Sequence, residues 1–269
     1  MEPSQPMAEE LEVRMEGEST LPTLIYLPGL HGDGTLIQNL SRCLRGRVRF
    51  VTITYPRTLT WSLADYAGAV EAALAKRDIR QGWLLGESFS SQVTWAIVGR
   101  ARFAAQGIIL AGGFVRHPLP WLVRPVGVFC HRAFLRPFFP VYLAYVKYFR
   151  RQNPSDPEMH NSLEDFIARR TQRDLQAIRH RLRLIAENDP RPTARRNTIP
   201  VFALTGAVDP IVPWPLVRRW LRRHCPALRD YRVIVRSDHN VLQMAAPAAA
   251  KLILQWLEVN PVAAPRMAP

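Results

Sequence analysis

Three residues far apart in the chain, Ser88, Asp209 and His239, have the types that nucleophilic acyl transfer requires. A serine hydroxyl is a weak nucleophile at neutral pH. It needs a base to take its proton, and an acid to orient that base and stabilise its charged form. Ser88 is the centre of Gly86-Glu87-Ser88-Phe89-Ser90, directly after the apolar run Trp83-Leu84-Leu85. This reads as a strand that stops abruptly and presents a serine at the turn into a helix, clear of the backbone. Strand and helix nearly collide at such a turn, so small residues are needed two before and two after the serine. Gly86 meets the first need. Ser90 stands at the second position with an extra hydroxymethyl group, and a crowded elbow is expected.

Asp209 lies in Leu204-Thr205-Gly206-Ala207-Val208-Asp209-Pro210, just past a buried apolar run. Gly206 permits the turn and Pro210 stiffens the loop behind the carboxylate; the plain alternative is a turn cap, since Asp-Pro is a common turn pair. His239 follows the last expected strand and precedes the last helix. Six other histidines compete. His117, His131, His160 and His180 fall in or beside a helical stretch, and His224 ends an Arg-rich helix; these five read as surface or packing residues. His31 lies in a loop near the site, where it can line it. In a doubly wound sheet, site residues sit at the carboxyl ends of strands, and His239 alone has that place downstream of Asp209.

A developing oxyanion needs donors already aimed at it. The backbone N–H of Phe89, at a helix N-terminus, is one candidate. The second is expected from Pro28-Gly29-Leu30-His31-Gly32-Asp33-Gly34, with Leu30 N–H first and His31 N–H next. Its three glycines could also cradle a phosphate, but no Lys-Ser/Thr follows and the spacing is not G-x-G-x-x-G, so a nucleotide site is disfavoured.

The elements that must position these residues alternate between strand and helix. Strands are expected at 11–15, 23–27, 48–55, 82–85 and 107–111, with helices at 36–44, 62–76 and 89–100. The pattern then changes: 117–196 shows no convincing strand, with an aromatic run from Trp121 to Tyr148 broken by Pro120, Pro125, Pro137 and Pro140, then an amphipathic charged stretch, Asn161 to Ala186. Alternation resumes with strands at 200–205 and 231–235 and helices at 215–223 and 247–257. The expectation is an α/β fold, a mostly parallel central sheet with helices on both faces. Its core would comprise 1–116 and 199–260, with a helical cap at 117–198 and a frayed tail at 261–269. Aromatics of the cap, Phe129 and Tyr142 among them, would line an apolar acyl pocket together with His31.

Composition sets the outer limits. With 269 residues and 48% hydrophobic content the chain can build a full core. Cys43, Cys130 and Cys225 are dispersed, giving neither a disulfide framework nor a metal-ligand spacing, and no cofactor is expected. Met1–Thr20 lacks an apolar h-region, so no signal peptide and a cytoplasmic location are expected. The formal charge is +14, and between Phe114 and Pro200 there are 16 Lys/Arg against 7 Asp/Glu. Such a field suits an acidic carrier protein or an anionic lipid surface, although solvated Arg-rich helix faces would give the same count. Specific nucleic-acid binding would rest on charge alone, because no recognised motif is present.

Taken together, Leu27-Pro28-Gly29-Leu30-His31-Gly32, the Gly86–Ser90 elbow, the Gly206–Pro213 segment with Asp209, and His239 resemble the α/β-hydrolase superfamily, in its order, over roughly Pro22 to Leu257. The helical insert resembles the lid of the proline iminopeptidase and carrier-protein methyl esterase branch. The Pro28–Gly34 loop is similar to that of plant plastid esterase/acyltransferase relatives. The resemblance implies a serine esterase or thioesterase working through an acyl-serine intermediate on an apolar acyl group, with no metal. The alternative is a catalytically silent scaffold of this fold that binds an acidic partner through its basic cap.

Overall fold

A computed structural model describes residues 10–121, 123 and 171–259. Phe129, Tyr142, Cys130, His131 and His160 lie outside the described residues, as do 122 and 124–170 of the expected cap and the tail.

Seven strands form one sheet: β1 Glu12–Glu16, β2 Thr23–Leu27, β3 Arg49–Thr54, β4 Gln81–Glu87, β5 Ala104–Ala111, β6 Val201–Gly206 and β7 Leu228–Ile234. Their spatial order is β1-β3-β2-β4-β5-β6-β7. β1 runs antiparallel on β3 and all other pairings are parallel. The helices among the described residues are α1 Gln38–Leu44, α2 Leu63–Ala75, α3 Ser90–Arg100, α4 Gln172–Glu187, α5 Arg191–Arg196, α6 Trp214–His224, α7 Val241–Met244 and α8 Ala246–Val259. Between β5 and β6 the described residues contain helices and no strand.

The central strands are apolar on both faces because both faces are covered. Leu24, Tyr26, Trp83, Leu85, Ile109 and Phe202 point to one side, where they pack with Leu40, Leu44, Ile253 and Trp256 of α1 and α8. Ile25, Leu27, Leu84, Ile108 and Leu110 point to the other, against Tyr66, Val70, Val93, Trp95 and Leu221 of α2, α3 and α6. β7 starts three residues before the expected Tyr231. At the sheet edge only one neighbour covers it, so exposed Arg229 and half-buried Asp230 can sit within the strand.

Helix α2 begins with the capping box expected from Ser62 and Asp65. A second capping box opens α4: Asp174 accepts from the N–H and hydroxyl of Thr171, each at 2.7 Å, and also from Arg57. Burial raises the Asp174 pKa, but the bonds from Arg57 and Thr171 win and hold it at about 2. Replacing Asp174 by alanine is therefore expected to destabilise the fold by about 1–2 kcal/mol near neutral pH. A depressed carboxylate stabilises above its unfolded pKa and loses that contribution as pH falls through its folded one. The difference between wild type and variant in urea titrations should thus shrink from pH 4 towards pH 2; a pH-independent gap would refute the assignment.

Candidate active site

The carboxyl ends of β2, β4, β6 and β7 meet at one rim of the sheet, and each supplies a part. After β4 the chain turns directly into α3, leaving Ser88 at φ 48°, a left-handed conformation rare for a residue with a side chain. The strain is held by a bond from Ser88 N–H to the Ala111 carbonyl at 2.9 Å. A side chain at Gly86 would run into Thr94 and the Ser90 carbonyl, which explains the glycine there. Ser90 does not crowd the turn as its bulk suggests. It is fully buried, donates its hydroxyl to the Pro28 carbonyl, and accepts from the Tyr55 hydroxyl at 2.8 Å. The extra atoms fasten the β2 loop to the elbow.

His239 reaches this serine from beyond β7. Its Nε2 lies 2.8 Å from Ser88 Oγ, and its Nδ1 lies 2.8 Å from Asp209 Oδ2. The Asp209 side chain is inaccessible to solvent. Its other oxygen accepts the N–H groups of Ile211 and Val212, both at 2.9 Å. These bonds settle the tautomer: an ionised Asp209 only accepts, so Nδ1 carries the hydrogen and Nε2 is left to accept from the serine. Burial pushes the imidazole pKa down; the hydrogen bond and charge of Asp209, with Glu87 and Asp238, overcome this and leave it raised.

Among the other described histidines, His117 and His180 make structural bonds, and one of them supports the acid. His117 accepts from Leu119 N–H at Nδ1 (3.2 Å), so its Nε2 donates to the Ile211 carbonyl at 3.3 Å and steadies the loop around Asp209. Burial holds its pKa down, keeping it neutral. His180 donates to the Trp61 carbonyl at 2.8 Å. His31 lines the pocket.

That pocket has a volume of about 250 Å³ and exposes Ser88 and His239 beside Leu30, His31, Asp33 and Glu87. Glu87 is a feature that sequence reasoning passed over. Its carboxylate accepts from the Tyr26 hydroxyl and from Gly29 N–H, and burial, outweighing both, raises its pKa. The signal was available: an acidic residue closing an otherwise apolar parallel strand must have donors at hand.

The amides of Leu30 and Phe89 complete the arrangement. Neither N–H bonds to another described residue. They are thus available to an anion, the first from a loop whose carbonyls are tied back, the second at the start of a helix. No group of three His, Cys, Asp or Glu among the described residues could hold a metal. Cys43 and Cys225 are free thiols. No described helix is long and apolar enough to cross a membrane.

A strained serine after the central strand, an imidazole from beyond β7 and a carboxylate from beyond β6 form a pattern that comparison can test. The sequence profile of the alpha/beta hydrolase family matches residues 24–251. The chain belongs to that family. No curated protein matches this alpha/beta hydrolase in sequence. Among solved structures it is similar to the enol-lactonase from Burkholderia xenovorans LB400, with a TM-score of 0.75 and 17% identity over 92% of this chain and 96% of that one. It is also similar to a thermophilic esterase from Thermogutta terrifontis, with a TM-score of 0.71 and 18% identity over 93% of each chain. An N-acyl homoserine lactonase gives a TM-score of 0.69 and 15% identity over 94% of each chain. At such identities the likeness is one of fold.

Proposed function

We propose that this alpha/beta hydrolase is a serine hydrolase that cleaves a carboxylic ester or thioester through an acyl-serine intermediate. The observation that carries the reading is the unbroken line Asp209–His239–Ser88, with 2.8 Å at each junction. In the first half-reaction Ser88 Oγ attacks the carbonyl carbon while Nε2 of His239 takes the hydroxyl proton. Asp209 stabilises the resulting imidazolium. The carbonyl oxygen, now anionic, is held by the N–H groups of Phe89 and Leu30. Collapse expels the alcohol or thiol, protonated by His239. Water then attacks the acyl-serine, with His239 as its base, and releases the acid.

The fold neighbours include an enol-lactonase, an esterase and an N-acyl homoserine lactonase, so cyclic esters belong in the substrate panel beside linear ones. An acidic carrier protein or anionic lipid remains a candidate partner. Support for it extends beyond the segment from Phe114 to Pro200: α6 exposes Arg219, Arg222 and Arg223 with no acidic residue in the helix.

The test is active-site labelling. A fluorophosphonate probe should modify the wild-type protein, and the label should vanish in Ser88→Ala. Esters, lactones and acyl thioesters of increasing chain length then define the acyl group. Failure to label, with near-background rates across all three panels, would favour the silent scaffold instead.

A further inference from the structure

Arg181 lies on α4, in a stretch that reads as a solvated basic helix, yet it is only 1% exposed. Its Nη1 donates to the Leu30 carbonyl at 2.7 Å, Nη2 to the Pro56 carbonyl at 3.0 Å, and Nε to the Tyr66 hydroxyl at 3.3 Å. The guanidinium also sits over the rings of Tyr55 and Tyr66, 5.7 and 6.0 Å from their centroids. A buried charge is costly unless its donors are satisfied, and here all three nitrogens are used.

The contact with Leu30 falls on the element that carries the proposed oxyanion donors. Gly32 N–H bonds to the Gly29 carbonyl at 3.0 Å, so residues 29–32 form a β-turn whose central peptide joins Leu30 to His31. Central peptides of β-turns can flip between two orientations, which reverses both the carbonyl and the N–H of that unit. Arg181 grips the carbonyl of this unit. The rest of the loop is held in the same sense. The Pro28 carbonyl accepts from Ser90, the Gly29 carbonyl from Gly32, and the Gly32 carbonyl from Tyr55 N–H at 2.7 Å. The Pro28, Leu30 and Gly32 carbonyls are thus held by other elements and the Gly29 carbonyl closes the turn; in a trans peptide the N–H opposes its carbonyl, so fixing the Gly29 and Leu30 carbonyls fixes the directions of the Leu30 and His31 N–H groups. Gly32 itself adopts φ +81°, and a Cβ there would lie within 2.6 Å of the guanidinium carbon, so the turn is shaped around the arginine.

We propose that Arg181 is a positioning residue for oxyanion stabilisation, locking the turn so that its amides are fixed in advance of the reaction. It touches neither Ser88 nor the carbonyl under attack. The effect should therefore appear in the transition state and not in substrate binding. The inference rests on the acyl-transfer reading given above.

The test compares Arg181→Lys with wild type on one chromogenic ester. Lysine keeps the charge but cannot span two carbonyls. Expected is a fall in kcat of about 100-fold, comparable to loss of one oxyanion donor, with KM changed less than about threefold. Affinity for a trifluoromethyl ketone, whose adduct carries the anionic oxygen, should fall with kcat, while affinity for the matching amide should not. Tyr66→Phe, which removes one tether and keeps the ring, should show the same pattern at about three- to tenfold. It serves as the deciding variant should Arg181→Lys fail to fold. Unchanged kcat in folded variants, or equal losses for ketone and amide, would overturn the proposal. Absence of fluorophosphonate labelling in the wild type would overturn the acyl-transfer reading and this inference with it, whereas labelled wild type beside unimpaired variants overturns this one alone.

Discussion

Replacing His239 by alanine is expected to lower kcat/KM for any ester substrate by about four to six orders of magnitude while the protein stays folded. Among the described residues the imidazole is the only base bonded to Ser88 Oγ, at 2.8 Å, so its removal takes away the hydroxyl's proton acceptor. The same residue sets the pH profile. Burial alone would lower its pKa, but Asp209, Glu87 and Asp238 together raise it above the ordinary 6.5. Only the neutral ring can accept a proton, so wild-type kcat/KM should fall as pH drops through that raised value. The acid limb should lie above 6.5, and Asp209→Asn should move it down. Stability has the opposite sign. A histidine whose folded pKa is raised stabilises fully below its unfolded pKa and loses that contribution as pH rises through the folded one. The site is thus more stable protonated and active deprotonated. An acid limb at or below pH 6.5 in the kcat/KM profile would contradict the geometry.

Gly206→Val should be the most damaging change outside the three site residues. A Cβ at this position would overlap the carbonyl oxygens of Ser237 and Asp238. These are backbone atoms of the loop that delivers His239, and they cannot rotate away as a side chain could. The loop must shift, and a displacement of about 1 Å in a positioned group can cost about 100-fold in rate. We expect kcat/KM to fall by about 100- to 1,000-fold, with about 1–3 kcal/mol lost to overpacking. Gly99→Ala is the control: its Cβ would meet only the Thr193 side chain, at 3.6 Å. Activity should be unchanged and the helix slightly firmer. Equal behaviour of the two variants in rate and thermal melting would show that the contact at Gly206 is unimportant.

Much of this arrangement was legible in the amino-acid order because parallel strands leave a strong trace. Leu24–Leu27, Trp83–Leu85 and Val201–Leu204 are apolar because each faces helices on both sides, and Ser88 and Asp209 stand out by following such runs. Short helices left no trace: α5 begins after Pro190 and has six residues, and α7 has four, too few for a period to emerge. The supports of the site were harder to see because they act across long sequence gaps. Glu87 meets Tyr26 across 61 positions, and Arg181 meets Leu30 across 151. Arg181 did leave one clue. It occupies a place in the buried stripe formed by Asp174, Ala177 and Ile185 on α4, where an apolar residue belongs unless the charge is matched. The role of Ser90 was hidden for a related reason. Its bulk was visible in the sequence, but the carbonyl and phenol awaiting its hydroxyl were not.

The order of the sheet also governs when the chain can first act during synthesis. Ser88 is made early, directly after a strand lodged between β2 and β5, whereas His239 follows β7, 151 positions later. On the ribosome the serine must therefore wait, buried but without its partner, until β6 and β7 have emerged and docked. A nascent chain that stalls before that point would carry an unaccompanied hydroxyl and be chemically inert.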